Sequence, residues 1–456
     1  MKLGKFLTIV SLVAMLTMAI PAQILDDVNK GTWAESPATP PQYQIFDMGV
    51  VMAGDSAAQG LRVNEAGVGV GRSIRTGGAQ AFSWTQTGGI VGLSNLSGKA
   101  FCVANSAADA GKVVGVCATS LSGTARLPVS WEGGSVSQLT LPAGETLGDA
   151  NDVNSTGVAV GSAGSGSFQR GVVYTSGVGS VITKTTPTTG SFFTTAFGIN
   201  DSGRVIGQGI DPTNAARNVG MVYDISTDTA FEVGALPTRN GALAFGVSNA
   251  GHIVGSSMQN QGSGLPFIWT QALGMVEIPL PTGTSQGSAR GVNSNGWAVG
   301  TASSAFAIPF LYDGTATYRL ADLIPAGTGW DLSTNTSSSA LGISDGGVIV
   351  GTGVFNGAIR AYAMVPVVAN ITLGGRVVTP SGGGIRSATV SISGGGLPQP
   401  LTTMTGSFGF YHFVGVPAGQ TYTVTVNAKR FTFSQTSQQV TPSADVLDLN
   451  FVSDPF

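Results

Sequence analysis

Residues able to do chemistry are few in this chain of 456 residues. Only two histidines occur, His252 and His412, and the repeat pattern places them in different domains. A histidine-based triad or a multi-histidine metal site is hard to assemble from them. His252 follows a turn glycine and reads as a solvated hairpin residue, and His412, in a Phe-rich hairpin, reads as a packing residue. Carboxylates need more care, because glycoside hydrolysis can run on two of them held about 5–9 Å apart. Glu65, Asp109, Asp201 and Asp345 recur at one hairpin turn in different copies of a repeat. Turn chemistry accounts for them, and positions spread around a ring are not expected to converge. Asp149, Asp152 and Asp331 fall nearer inner strands or long loops and are the fallback acidic candidates. No calcium loop with oxygen ligands at alternate positions is present. The run Gly382-Gly383-Gly384 lacks the lysine and helix of a phosphate cradle. No cofactor, metal or catalytic residue is therefore expected.

Cys102 and Cys117 are the two cysteines. They flank the turn Ala108–Gly111 symmetrically, so a two-residue hairpin would oppose them across adjacent strands at a Cα separation of about 5 Å, which a disulfide can span. The alternative is two buried thiols, one residue out of register.

The element that positions all of these is a block of the form [Ala/Gly]-x-x-[Val/Ile/Ala]-[Asn/Ser]-x-x-Gly-x-x-[Val/Ile]-Gly. Its closing glycine falls at Gly71, Gly115, Gly161, Gly207, Gly255, Gly300 and Gly351, at intervals of 44 to 51 residues. Such a period marks one supersecondary unit copied around a ring or along a solenoid. In Ala196-Phe-Gly-Ile-Asn200-Asp-Ser-Gly203-Arg-Val-Ile-Gly207, two short apolar segments flank a turn, a hairpin signature. The turn glycine is present in every copy, whereas asparagine opens the turn only at Asn64, Asn154, Asn200 and Asn293. A third apolar segment ends on an aromatic (Trp84, Trp131, Tyr174, Tyr223, Trp269, Tyr312, Tyr362), and a fourth follows a short link. Four strands per unit and seven units predict an all-β fold, a seven-bladed β-propeller over residues 43–366. A linear β-solenoid is the rival, although its rungs are usually shorter. The first residue of each unit is small (Gly60, Ala104, Ala150, Ala196, Ala244, Ala289, Ala340), which would let seven inner strands crowd a central channel. First-to-second links read as tight hairpins on one face; second-to-third links and those leaving the fourth strand read as long loops on the other. Tyr43–Met48 looks like a fourth strand without its own repeat and is expected to complete the last blade beside residues 357–365.

These copies resemble the HAF-type extracellular repeats of secreted bacterial proteins. Gln80-Ala81-Phe82 and Leu265-Pro266-Phe267 depart from the His-Ala-Phe that typical copies carry before the aromatic. The resemblance implies no catalytic residues. From about Asn370 the pattern changes to a Gly-x-Val opening, a Thr405-Gly-Ser-Phe-Gly-Phe410 hairpin and a Pro417-Ala-Gly-Gln-Thr-Tyr422-Thr-Val tail. This stretch is similar to the carboxypeptidase regulatory-like family, a small prealbumin-like β-sandwich, commonly a non-catalytic appendage. It sets residues 367–456 apart as a C-terminal β-sandwich domain.

At the N-terminus Lys2 and Lys5 precede an apolar run from Phe6 to Ile20, closed by Pro21 and Ala22, as in a secretory signal peptide over residues 1–22. Residues 23–42 read as a linker. The run is short for a membrane span, and no cysteine follows it to take lipid. The mature chain is expected to be exported, extracellular or periplasmic, without a membrane span, and monomeric. Removing the two lysines takes the formal charge from −3 to about −5, against a nucleic-acid partner. Only 10% of residues are charged and 68 are glycine, a turn-rich, uncharged surface. The function expected is non-catalytic binding or adhesion to an extracellular polysaccharide or protein through the long-loop face, with Phe193 and Trp330 as candidate ligand contacts. The alternative is a carbohydrate-active hydrolase or lyase at the channel mouth.

Overall fold

A computed structural model describes residues 40–120, 125–165, 168–367, 370–395, 397 and 399–455. The signal-peptide reading and most of the expected linker lie outside them. The fold is a β-propeller followed by a β-sandwich. Seven antiparallel units, four-stranded except that the last also carries the short strand Trp330–Asp331, have as inner strands Ala57–Val63, Phe101–Ala107, Leu147–Val153, Phe192–Ile199, Gly241–Val247, Gln286–Val292 and Ser339–Ile343. Each inner strand packs beside the next, and the seventh beside the first, which closes the ring. The strand Tyr43–Asp47 pairs antiparallel with Ala358–Pro366, Tyr43 facing Pro366 and Asp47 facing Tyr362, so the chain's early segment does complete the last blade.

The closing glycines follow from a backbone irregularity repeated in every blade. The small first residue faces the closing glycine across the hairpin (Gly60 and Gly71, Ala104 and Gly115, through to Ala340 and Gly351), and one residue later each inner strand carries a β-bulge. The bulge drives the carbonyl before the small residue onto the glycine. A Cβ at any of the seven would sit far inside van der Waals contact with that oxygen, from Gln59 O at Gly71 to Ser339 O at Gly351. A bulge leaves its extra residue unpaired and free to turn away from the sheet.

The small first residue is crowded by the second strand of the neighbouring blade, a Cβ on Gly60 lying 2.7 Å from Val350, while contact between inner strands falls elsewhere. It falls two positions later, where Gly246, Gly291 and Gly342 abut the neighbouring inner strand; a Cβ on Gly246 would lie 2.6 Å from Arg290 O. The turns are also one residue longer than a two-residue hairpin: Ala108 N donates to Lys112 O and Gly111 N to Ala108 O. The turn glycines all have positive φ, from 78° at Gly67 to 92° at Gly111. In the second blade the added turn residue and the bulge offset one another, and Cys102 still faces Cys117 and is bonded to it, Cα to Cα 4.2 Å.

The core lies between blades. Val70 and Ala81 of the first meet Cys102, Val129 and Trp131 of the second. Ile206 and Val222 of the fourth meet Ala244, Phe267 and Trp269 of the fifth. Met48, Phe82 and Trp84 meet Val350, Ala361 and Ala363 across the closure. The second-to-third links are tight in two blades, residues 76–77 and 356–357, because the strands run further there, and long in others, such as 211–217; the connections between blades, such as 93–100 and 233–240, are long as expected. The sandwich packs a three-stranded sheet, Phe410–Pro417, Asn370–Val378 and Phe451–Val452, with a four-stranded one through Leu373, Val390, Ile392, Tyr411 and Val424. His412 is exposed on that first strand between the buried Tyr411 and Phe413, so it does not pack.

Two stability measurements check this. Gly207→Ala should lower unfolding stability by at least about 1–3 kcal/mol, because the Thr195 carbonyl it meets is backbone that cannot swing aside. Cys102→Ser with Cys117→Ser should cost about 2–3 kcal/mol, the range for a short closed loop.

Candidate functional site

The bulge residues are Leu61, Asn105, Asn151, Phe197, Phe245, Arg290 and Leu341, one from each inner strand. All seven line one cavity of about 210 Å³ on the axis. The chain places a different kind of side chain on successive arcs of this ring: two amides, two phenyls, a guanidinium, two isobutyl groups. Phe197 and Phe245 stand 5.5 Å apart between centroids, and the Arg290 guanidinium lies 3.8 Å over the Phe245 ring. Among the described residues no carboxylate pairs with Arg290; its Nε donates to Ser288 Oγ at 3.1 Å. Burial pushes its pKa below the usual guanidinium value. Asn105 and Asn151 give their amide N–H groups to Ala150 O and Ala196 O of the next blade, both at 2.9 Å.

Arg62, one residue beyond the first bulge, reaches across the axis. Its Nη2 donates to Phe197 O and, at 3.4 Å, to Phe245 O, and its Nη1 lies 3.5 Å from Asp152 Oδ2. Asp152 is held further by Ser106 Oγ at 2.6 Å and Ile199 N at 3.0 Å. Arg62 lines both this cavity and a second one on the turn side, so it divides the channel into two cups.

The turn-side cup carries the rim. Every asparagine that opens a turn accepts from its own turn and donates to the next blade: Asn64 to Ala108 O, Asn154 to Asn200 O, Asn200 to Ser248 O and Asn293 to Ser344 O. Alanine and serine at Ala108, Ser248 and Ser344 have no amide to give. Carboxylates one position on brace backbone N–H groups of neighbouring blades: Asp109 takes Glu65 N, Asp201 takes Ser155 N, Asp345 takes Ser294 N and Glu65 takes Asp345 N. These four acids do come together, against expectation, because the inner strands converge on the axis and all four line one cup. Burial first, and then the charges of Asp345, Asp109 and Asp201, raise the Glu65 pKa to about 7, opposed by its bond from Asp345 N.

The other sequence candidates part company. Asp152 lines the turn-side cup, Asp149 does not; it is buried against Arg126 and Ser162, and burial raises its pKa. Asp331 caps a loop by accepting from Ser333 N, Thr334 N and Thr334 Oγ1. The expected ligand contacts are not on a loop surface. Phe193 is 1% exposed inside an interblade core, and Trp330 stacks on Phe355 at 4.9 Å with its edge to Tyr362. Sequence reasoning does not single out the bulge ring because its residues share no type; the signal is the variable position directly after the small first residue.

Comparison with known proteins gives one family match: residues 372–453 fit the carboxypeptidase regulatory-like domain. No curated protein matches the chain. Among solved structures it is similar to a streptogramin B lyase (13% identity, 72% of this chain and 98% of that one, TM-score 0.43) and to an oligogalacturonate lyase from Vibrio parahaemolyticus (11%, 71% and 97%, TM-score 0.43). TolB from Acinetobacter baumannii also matches (12%, 70% and 65%, TM-score 0.36). Among the described residues, no helix is long and apolar enough to cross a membrane.

Two outcomes test the rim. Ser248→Asn should add a bond to Asn293 O and raise stability by about 0.5–1.5 kcal/mol. Glu65 binds a proton more readily when folded, so its contribution is full below its unfolded value near 4.5 and is lost as pH rises toward 7. Glu65→Gln should flatten the fall of unfolding stability between those pH values.

Proposed function

We propose that this chain is an exported, non-catalytic binding or adhesion protein, a propeller of HAF-type repeats with a sandwich appendage, that recognises an extracellular polymer or protein. The observation that carries the reading is the bulge ring. The seven copies agree on the small residue before the bulge and diverge at the bulge itself, where the fold imposes least and a cavity opens. The polar groups elsewhere along the channel are engaged in holding blades together. An uncharged surface rich in Ser, Thr and Asn suits recognition of hydroxylated polymers. The expected long-loop recognition face moves inward to the cup on the interblade-loop side, since Phe193 and Trp330 belong to packing.

One observation favours the second reading, a carbohydrate-active hydrolase or lyase. Glu65, with its pKa raised to about 7, lines a cup with Asp109, Asp152, Asp201 and Asp345, and a carboxyl whose pKa is raised beside other carboxylates is the pattern of a general acid. Against it, each of these carboxylates is already committed to a backbone N–H of a neighbouring blade.

The full chain should be screened against bacterial and plant glycans for binding and for reducing-end release together. Binding without release is the expected result. Release that disappears in Glu65→Gln would establish the second reading instead.

A further inference from the structure

We propose that the cup on the interblade-loop side binds the carboxylate of an acidic sugar, with Arg290 as the anion contact, Phe245 and Phe197 as the platform for the sugar ring, and Asn105 and Asn151 as acceptors for its hydroxyls. The proposal rests on the reading of the chain as a polymer-binding protein and names the ligand class.

Four features of the ring converge on that chemistry. Arg290 is a guanidinium sunk in the channel without a counter-charge among the described residues, whereas Arg62 beside it has Asp152. A desolvated cation left so is stabilised by an entering anion, and the planar fork of arginine matches a carboxylate with two parallel bonds. The stack on Phe245 holds the guanidinium plane, and its Nη groups have no hydrogen-bond acceptor among the described residues. Asn105 and Asn151 have committed their N–H groups to the next blade, and neither Oδ1 accepts a bond among the described residues. They therefore offer acceptors alone, which call for hydroxyl donors and disfavour a bare phosphate or sulfate. Phe197 and Phe245, 5.5 Å apart, give an apolar surface of a size that suits the C–H face of a pyranose. The cavity, about 210 Å³, takes one such unit, so the recognised element is a single acidic residue at a chain end or on a branch.

The test is calorimetric titration of the full chain with galacturonate and glucuronate oligomers, the methyl esters of the same oligomers, the neutral hexose oligomers and inorganic sulfate. Acid oligomers should bind at least about tenfold more tightly than their esters, neutral counterparts or sulfate, since a charge-assisted bond is lost in each comparison or the ring contact is missing. Arg290→Met should weaken the acid oligomer about ten- to hundredfold while leaving the unfolding midpoint close to that of the parent. The ester comparison uses the unaltered protein and stands even if that variant misfolds. Equal affinity for acid and ester, or sulfate binding as tightly as the acid oligomer, overturns the proposal. Binding of a neutral polymer unaffected by Arg290→Met would do the same and would leave the broader binding reading in place; binding of no glycan at all overturns the proposal and leaves the broader reading with a protein partner alone.

Discussion

The rest of the propeller depends on one steric contact, the carbonyl oxygen that a β-bulge presses onto the closing glycine in each blade. The bulge shortens the pairing of the inner strand by one residue and so bends it toward the axis. The same bulge recurs in all seven inner strands, which pack side by side in a closed ring. The bulges also turn seven side chains out of strand pairing and toward the axis, where Phe197 packs against the core of the fourth and fifth blades and the others face the cavity.

The channel then sorts itself by depth. The glycines beyond the bulge in the later blades let inner strands touch; in the first three blades Arg62, Ser106 and Asp152 occupy that level and bond sideways. Arg62 reaches the backbone of the fourth and fifth blades and separates a cup lined by turn-borne acids from a cup lined by the bulge ring. On the turn side, asparagine amides and carboxylates form a belt from blade to blade. The belt is incomplete where the turn opens with Ala108, Ser248 or Ser344, and the seam between the last and first blades is held there by Glu65 on Asp345 N and outside by Tyr43–Asp47.

Much of this was legible in the sequence. The glycine period gave the ring, the lone strand Tyr43–Asp47 gave its closure, and the symmetry of Cys102 and Cys117 about a turn gave the disulfide, although the turn was one residue longer and a bulge restored the register. The sandwich was legible from its hairpin motifs. What was not legible depended on backbone irregularity. A bulge has no residue type of its own, so Leu61, Phe245 and Arg290 looked unrelated, and the small residue beside the bulge was assigned to axial crowding. Phe193 and Trp330 looked like loop aromatics because the strands run further than apolar alternation shows. Turn acids looked dispersed because spacing along the chain does not reveal how steeply seven inner strands converge.

The most direct measurement compares unfolding free energies at the two kinds of position on the same strand pairs: Leu61→Ser and Leu341→Ser against Gly71→Ala and Gly351→Ala. If the bulge frees its residue and the glycine carries the fold, the serine variants should lie within about 1 kcal/mol of the parent and the alanine variants should fall clearly below them. Serine variants that unfold as readily as the alanine variants would contradict the account, because the ring would then be a packed plug and not a site.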